Sequence, residues 1–261
     1  LWVGTEFGLW VSLDSGAHWH RWVHGVPTAP VRDLVTHPVE HDLVIGTHGR
    51  GAFIIDDVTP LRELTRDPAL YGRAVHLFEP PVAYHHAVAE PMGFRSTGHA
   101  MWWGENRPFG ARLSVWVRPW DDEADQGARA AAADAPAGAG AGARATLTVL
   151  DSAGTAIRTL EERLEPGLNR VAWRLEMDGV RMPDDDPDAP APAGPAAPPG
   201  DYTVRVAFRG DTTSAPITVR IDPREENLTR SDFVAAAETY RRGSELRLRV
   251  EEAEARIQAL L

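Results

Sequence analysis

The sequence predicts a mainly β protein in which β-propeller blades are followed by an immunoglobulin-like β-sandwich and a helical tail. Three observations support this fold class: an internal repeat of strand-like segments, a series of short alternating strands, and a long amphipathic segment. We expect terminal blades over 1–58, a connector over 59–103, the sandwich over 104–223 and the helical tail over 224–261.

The repeat spans about 42 residues and carries the propeller prediction. Gly4-Thr5 recurs as Gly46-Thr47, 42 positions later, and after one inserted residue Gly8 recurs as Gly51, 43 positions later. Both copies are apolar, β-branched or aromatic runs interrupted by Gly-Thr turns, which favours strands over helices. A period of this length, carried by strands, is typical of one propeller blade.

The first copy contains an Asp box, a short motif with the pattern S-x-D-x-G-x-x-W. Its four fixed positions are Ser12, Asp14, Gly16 and Trp19. The aspartate accepts hydrogen bonds from the amides of a tight turn, the glycine adopts the positive φ that the turn needs, and the tryptophan covers the turn. This chemistry predicts that the four residues are structural.

Period-2 alternation over short segments predicts the sandwich. Six segments show it: 111–119, 145–154, 156–164, 167–176, 201–210 and 215–223. Tyr202 is expected to point inward near the start of its strand, and Arg209-Gly210-Asp211 is expected to form a hairpin turn. Two low-complexity inserts, 121–145 and 183–200, are too poor in apolar residues to form a core, so we expect both to be disordered.

The pattern of the final segment, 231–261, predicts an amphipathic helix whose start is capped by Ser231 or Thr229. One apolar stripe recurs at steps of three and four residues: Leu246, Val250, Ala253, Ile257 and Leu260. A stripe of this kind predicts docking onto another part of the chain or onto another subunit, so oligomerisation through the helix is one hypothesis.

Composition excludes several classes of function. The formal net charge of −11 argues against a nucleic-acid partner, because no basic stripe neutralises phosphates. The absence of cysteine excludes disulfides, thiolate metal sites and a cysteine nucleophile. No apolar run is long enough to span a membrane. The sequence predicts no cofactor and no metal site: the acidic run at Asp184–Asp186 and Asp188 lacks the glycine and glutamate of a calcium loop, and His76, His85, His86 and His99 lack ligand spacing.

The segments 31–38 and 42–57, together with the Asp box, resemble the end of bacterial BNR-repeat propeller proteins, which are similar to the sortilin propeller and often labelled glycosyl hydrolases. Residues 103–110 and 167–173 resemble the region that follows the propeller in that family. The resemblance implies the C-terminal portion of an exported protein, periplasmic or extracellular, with further blades preceding Leu1.

Glu6, His48 and Arg50 are the candidate ligand-binding residues. His48 and Arg50 occupy the turn that corresponds to the turn containing Glu6, and one such turn per blade points to a shared binding face. The alternative is that these residues only tie the blade together. Among the carboxylates, Glu6, Asp33, Asp56 and Asp57 are the possible acid–base groups of a glycosidase, but a turn role is favoured for Asp56 and Asp57. No catalytic set is identified.

Three functional hypotheses follow. The first is a non-catalytic module that binds protein or glycan ligands. The second is the supporting region of a sialidase- or xyloglucanase-like glycoside hydrolase whose catalytic carboxylates lie in preceding blades. The third is an assembly part that oligomerises through the terminal helix. We favour the first, because no sialidase-type arrangement of arginines with a tyrosine and a glutamate is recognisable in the sequence.

Overall fold

The computed structural model describes residues 1–86, 107–120, 142–183, 185–186 and 189–258. The described chain is mainly β, as the sequence predicts. It forms two compact units, Leu1–Ala74 and Val75–Leu261, which are called unit 1 and unit 2.

Unit 1 contains two three-stranded antiparallel sheets. In sheet A the order is β1 (Trp2–Thr5), β2 (Gly8–Val11) and β3 (His20–Trp22). In sheet B the order is β4 (Val31–Thr36), β5 (Leu43–Thr47) and β6 (Ala52–Ile55). Helix α1 (Thr59–Arg66) and a 3-10 helix (Pro68–Gly72) complete the unit.

The two sheets contain the same hairpin in the same register. Gly4 pairs with Leu9 in sheet A, and the corresponding Gly46 pairs with Ala52 in sheet B. The inserted residue of the second copy lies in the turn between β5 and β6. The repeat read from the sequence is therefore confirmed at the level of strand pairing. The third strand differs, because β3 flanks β2 in sheet A whereas β4 flanks β5 in sheet B.

The core of unit 1 lies between the two sheets. Its buried members are six aliphatic residues: Leu9, Val26, Val31, Leu43, Ile45 and Val58. The rings of Trp2 and Trp22 pack edge to face at its margin, 5.3 Å apart. The two sheets approach each other closely at Gly4, where an added Cβ would lie 2.5 Å from Cγ1 of Val31. Glycine is therefore required at this position for packing and not for a turn.

Unit 2 contains a five-stranded sheet, a three-stranded sheet and a hairpin. The five-stranded sheet has the order β11 (Ala156–Leu164), β10 (Ala143–Leu150), β15 (Gly200–Phe208), β16 (Asp211–Ile221) and β8 (Ala83–His85). The three-stranded sheet has the order β12 (Gly167–Trp173), β9 (Ala111–Val117) and β7 (Val75–Leu77). The hairpin joins β13 (Glu176–Asp178) to β14 (Ala193–Ala196).

The two larger sheets of unit 2 share one core. Alternating residues of β9 and β12 meet alternating residues of β10, β15 and β16, and Trp173 is fully buried among them. Tyr202 points inward, as predicted: its ring lies 5.5 Å from that of Trp173, and its hydroxyl donates to the carbonyl oxygen of Pro198. The hairpin turn between β15 and β16 is also confirmed, since Arg209 and Gly210 both have positive φ values.

The segment 59–103, which was predicted as a connector, contributes two strands to the sheets of unit 2. Strand β7 pairs with β9, and β8 pairs in parallel with the end of β16. Val75 and Leu77 are buried, because every second side chain of this strand points into the core of unit 2, and the following residue, Phe78, is buried as well. The division of the chain therefore falls after Ala74, within the predicted connector.

The insert predicted to be disordered, 183–200, contains strand β14. Arg158, which is buried, fixes the β13–β14 hairpin by donating to Asp178 Oδ1 at 3.0 Å and to the carbonyl oxygens of Ala191 and Pro192. The prediction failed here because a backbone ladder and one arginine order a segment that has no large apolar side chain. Most of the other insert, 121–145, lies outside the described residues, although its last residues begin β10.

Helix α2 (Arg230–Gln258) confirms the predicted helical segment. Thr229 caps it: Asp232 Oδ2 accepts from the Thr229 amide at 2.8 Å. Helix α2 packs against the rest of unit 2 through Phe233 and Tyr240. The ring of Phe233 lies 4.6 Å from that of His85. Of the predicted apolar stripe, Leu246, Val250 and Ile257 are exposed. No described helix is long and apolar enough to cross a membrane.

Candidate functional site

The two repeat hairpins end in turns that are built alike. Thr5 Oγ1 donates to the carbonyl oxygen of Gly8 at 3.0 Å, and Thr47 Oγ1 donates to that of Gly51 at 2.6 Å. Gly8 and Gly51 both have positive φ values, which glycine adopts without strain. The recurrence of threonine at positions 5 and 47 is explained by this hydrogen bond, which holds each turn in shape.

The start of β4 brings the two turns to one end of unit 1. Arg32 Nη1 lies 3.2 Å from Glu6 Oε1 in the first turn. The amide of His48 in the second turn donates to the carbonyl oxygen of Pro30 at 2.8 Å. Because Pro30 and Arg32 are neighbours in the chain, this end of unit 1 is called the turn end.

The turn end presents charged groups and one aromatic ring to solvent. The predicted residues Glu6, His48 and Arg50 are all exposed there. Two further residues join them: Arg32, through its ion pair with Glu6, and Phe7, whose side chain is 73% exposed. Arg32 was not selected from the sequence, because nothing in a single strand shows which turn its side chain will reach.

The Asp box forms a closed hydrogen-bond network. The buried Ser12 hydroxyl donates to Asp14 Oδ1 at 2.8 Å and accepts from the Gly16 amide at 2.8 Å. Asp14 Oδ1 also accepts from the His18 amide at 2.9 Å, and Asp14 Oδ2 lies 2.6 Å from His18 Nδ1. These bonds, above all the one from the His18 amide, hold the pKa of Asp14 well below its ordinary value.

The network contains the residue types of a serine–histidine–aspartate triad, but it does not have the arrangement of one. In a triad the histidine lies between the aspartate and the serine hydroxyl that it activates. Here Asp14 lies between Ser12 and His18, and the Ser12 hydroxyl is buried and bonded to Asp14 and the Gly16 amide. The geometry therefore stabilises a turn at Gly16, whose φ is 99°.

Two of the carboxylates considered as acid–base groups, Asp33 and Asp57, accept hydrogen bonds from backbone amides. Asp57, which is 5% exposed, accepts from the Thr59 amide at 3.0 Å near the start of α1. Its own amide donates to Asp42 Oδ1 at 2.7 Å. Asp33 Oδ1 accepts from the amide of Leu34 at 2.9 Å. For Asp57, the turn role favoured from the sequence agrees with these bonds.

The histidines considered as metal ligands are placed differently from one another. His85 is buried, and its Nε2 lies 2.8 Å from the carbonyl oxygen of Ala197; burial lowers the pKa of its ring. His86 Nδ1 lies 3.3 Å from the carbonyl oxygen of Tyr84. His99, Asp184 and Asp188 lie outside the described residues. Within the described residues, no three His, Cys, Asp or Glu side chains are grouped to hold a metal ion.

Unit 2 carries a shallow depression of about 450 Å³ on its five-stranded sheet. Among its lining residues are two carboxylates, Asp151 and Asp201, and the side chain of Arg205. Asp151 Oδ1 accepts from the amides of Ala153 and Thr155, and Asp201 Oδ1 accepts from Thr218 Oγ1 at 2.7 Å. Because these oxygens already have partners in the fold, the depression is a weaker candidate than the turn end.

Comparisons of the chain with protein-family models, with curated proteins and with solved structures find no match. The functional argument therefore depends on the residues of this chain alone.

Proposed function

We propose that this chain is a non-catalytic binding module, and that the turn end of unit 1 is its ligand-binding surface. The observation that carries the proposal is the grouping of Glu6, Phe7, Arg32, His48 and Arg50 at that end. An exposed ring beside cationic and anionic groups suits a glycan, because the ring packs on a sugar face while the charged groups bind hydroxyl or carboxylate oxygens.

The arrangement of strands supports propeller blades as the scaffold of this surface. Superposing the two copies of the repeat in sequence gives a four-stranded unit with the order β4, β5, β6 and a counterpart of β3. Sheet A carries the last three of these strands and sheet B the first three. Four antiparallel strands are the usual content of one propeller blade. We propose on this basis that sheets A and B are two partial blades of Asp-box type.

Unit 2 supports the proposed immunoglobulin-like sandwich in outline. Its two main sheets share a single core centred on Trp173 and Tyr202, and most of its strand pairs are antiparallel. The parallel pairing of β8 with β16 is an addition to that scheme. In this proposal unit 2 is a support module, and export of the protein remains an inference from its family resemblance.

The described residues give less support to the alternative function, in which this chain is the supporting region of a glycoside hydrolase. An acid–base pair needs two carboxyl groups that face one cleft and are available for proton transfer. Asp14 and Asp57 instead bind backbone amides, and Glu6 lies 3.2 Å from the Arg32 guanidinium. A hydrolytic activity would therefore have to use carboxyl groups other than those of Glu6, Asp14 and Asp57.

Binding and turnover are to be measured on the same preparation of the full chain. An immobilised panel of sialylated and neutral oligosaccharides tests binding, and fluorogenic glycosides test turnover. We expect saturable binding to carboxylate-bearing glycans without release of fluorophore. Arg32→Ala and Arg50→Ala should each weaken binding by about 10- to 100-fold, the effect of losing one hydrogen bond to a charged group.

The matched control is Arg220→Ala, which removes an exposed arginine from unit 2. It should bind as the unchanged chain does. Release of fluorophore would contradict the non-catalytic proposal and favour the hydrolase. Absence of binding to every glycan, or equal binding by Arg50→Ala and the unchanged chain, would contradict the assignment of the turn end.

A further inference from the structure

Each sheet of unit 1 has two faces, and the repeat makes the faces of sheet A and sheet B comparable. In sheet A, one face carries Trp2, Leu9 and Val11, since Trp2 pairs with Val11 and side chains alternate along a strand. This face is called the front. The opposite face, which carries Val3 and Trp10, is called the back.

The same names apply to sheet B through the repeat. Its front carries Val44, Ala52 and Ile54, the counterparts of Trp2, Leu9 and Val11. According to the register, its back carries four apolar residues: Leu43, Ile45, Phe53 and Ile55. Ile45 and Phe53 are the counterparts of Val3 and Trp10.

Inside unit 1 the front of sheet A packs on the back of sheet B. Leu9 from the front of A shares the core with Leu43 and Ile45 from the back of B. The contact at Gly4, on the front of A, against Val31 of sheet B confirms the direction. The two copies of the repeated sheet therefore contact each other through different faces, the front of sheet A and the back of sheet B.

This packing leaves one front and one back exposed. On the front of B the register aligns Val35, Val44 and Ile54 in a row across all three strands. Val35 is 54% exposed and Ile54 is 62% exposed, whereas Val11, the counterpart of Ile54, is 6% exposed. On the back of A, Val3 is 41% exposed, whereas its counterpart Ile45 is fully buried.

We infer that the front of sheet B docks on the back of sheet A of a second copy of this chain. The contact continues the interface that already exists between sheets A and B, because it joins the same two kinds of face. It is head to tail, since the two partners use different surfaces, and such contacts extend to rings or filaments. The inference does not depend on the ligand proposed for the turn end.

The test measures the mass of the full chain by sedimentation over a wide range of protein concentration. We expect concentration-dependent association, and we expect Ile54→Asp and Val3→Asp each to abolish it. An equimolar mixture of the two variants should form a one-to-one dimer, because one intact front and one intact back remain. An interface between identical surfaces does not show this restoration.

Leu246→Asp is the matched control, because it places a charge at an exposed apolar site of α2. It should associate as the unchanged chain does, and so should Arg50→Ala at the turn end. Circular dichroism checks that Ile54→Asp and Val3→Asp remain folded; both sites are exposed. Restoration can also be tested with Val35→Asp in place of Ile54→Asp.

Three results would overturn the inference. The first is a monomer at every concentration, which would leave the two faces without a second copy. The second is association that survives both Ile54→Asp and Val3→Asp. The third is loss of association in Leu246→Asp, which would assign the contact to helix α2.

Loss of binding to glycans in Arg50→Ala with unchanged association would separate this inference from the proposed function.

Discussion

Units 1 and 2 are both rich in strands, but they bury their apolar residues to different extents. Among the described residues, the core cluster of unit 1 has six buried hydrophobic residues, whereas that of unit 2 has 22. Unit 2 places two sheets around one core, so each inner face is covered. Unit 1 covers one face of each sheet and leaves Val35, Ile54 and Val3 exposed on the others.

The difference shows that exposed side chains have to be interpreted differently in a repeated sheet and in a sandwich with one core. In the described strands of unit 2 no large hydrophobic side chain is exposed, and the exposed Arg205 lies between the buried Val204 and Val206. In unit 1, sheet B exposes Val35 and Ile54, because the face that carries them corresponds to a face that is buried in sheet A. An exposed valine in a repeated sheet thus indicates where another sheet packs.

The largest effect expected on the stability of either unit comes from the core of unit 2. Leu147→Ala removes a fully buried side chain and leaves a cavity, so it should lower the free energy of unfolding by about 2–5 kcal/mol. Urea denaturation followed by circular dichroism measures the change. Leu228→Ala, at a position 43% exposed, is the matched control and should change the value by less than about 0.5 kcal/mol. Equal effects would contradict the assignment of this core.

The two repeats can be compared directly through their equivalent glycines. Gly4→Ala would place a methyl group 2.5 Å from Cγ1 of Val31, which should destabilise unit 1 by about 1–3 kcal/mol through overpacking. Gly46→Ala meets no atom closer than 3.6 Å and should be tolerated. Thermal unfolding of the two variants checks the order. A larger loss for Gly46→Ala would contradict the inferred front-to-back packing.

A smaller effect is expected from the ionisation of Asp14. Because its pKa is well below 3.8 in the folded state, the folded protein releases this proton more readily than the unfolded chain does. The resulting stabilisation is present above pH 4 and is lost as the pH falls through the folded pKa. The difference in stability between the unchanged chain and Asp14→Asn should therefore shrink on acidification below pH 4. A pH-independent difference would show that the Asp-box bonds do not favour the ionised form.

Much of the fold follows from local patterns in the sequence. The repeat register, the inward Tyr202 and the Arg209-Gly210 turn were all predicted, because each depends on residues close together in the chain. The hydrogen bonds of the Asp box follow from its four fixed positions for the same reason. Such features need no knowledge of which strands become neighbours.

The features that were missed depend on distant parts of the chain. Strand β8 has three residues, and only its pairing with β16 makes it a strand. Strand β14 is ordered by Arg158, which is 33 residues from Ala191. At the candidate site, the ion pair of Arg32 with Glu6 joins residues 26 positions apart. The exposed stripe of α2 was predicted as apolar, but its pattern does not show which side of the helix packs.

Native-state hydrogen exchange in increasing urea tests the contrast between the two units most directly. Peptides from β5 and from β15 report on the central strands of units 1 and 2 in one experiment. We predict that β5 loses protection at a lower urea concentration than β15, since unit 1 has the smaller core and two uncovered faces. Loss of protection of both strands at the same urea concentration, or of β15 before β5, would contradict the account.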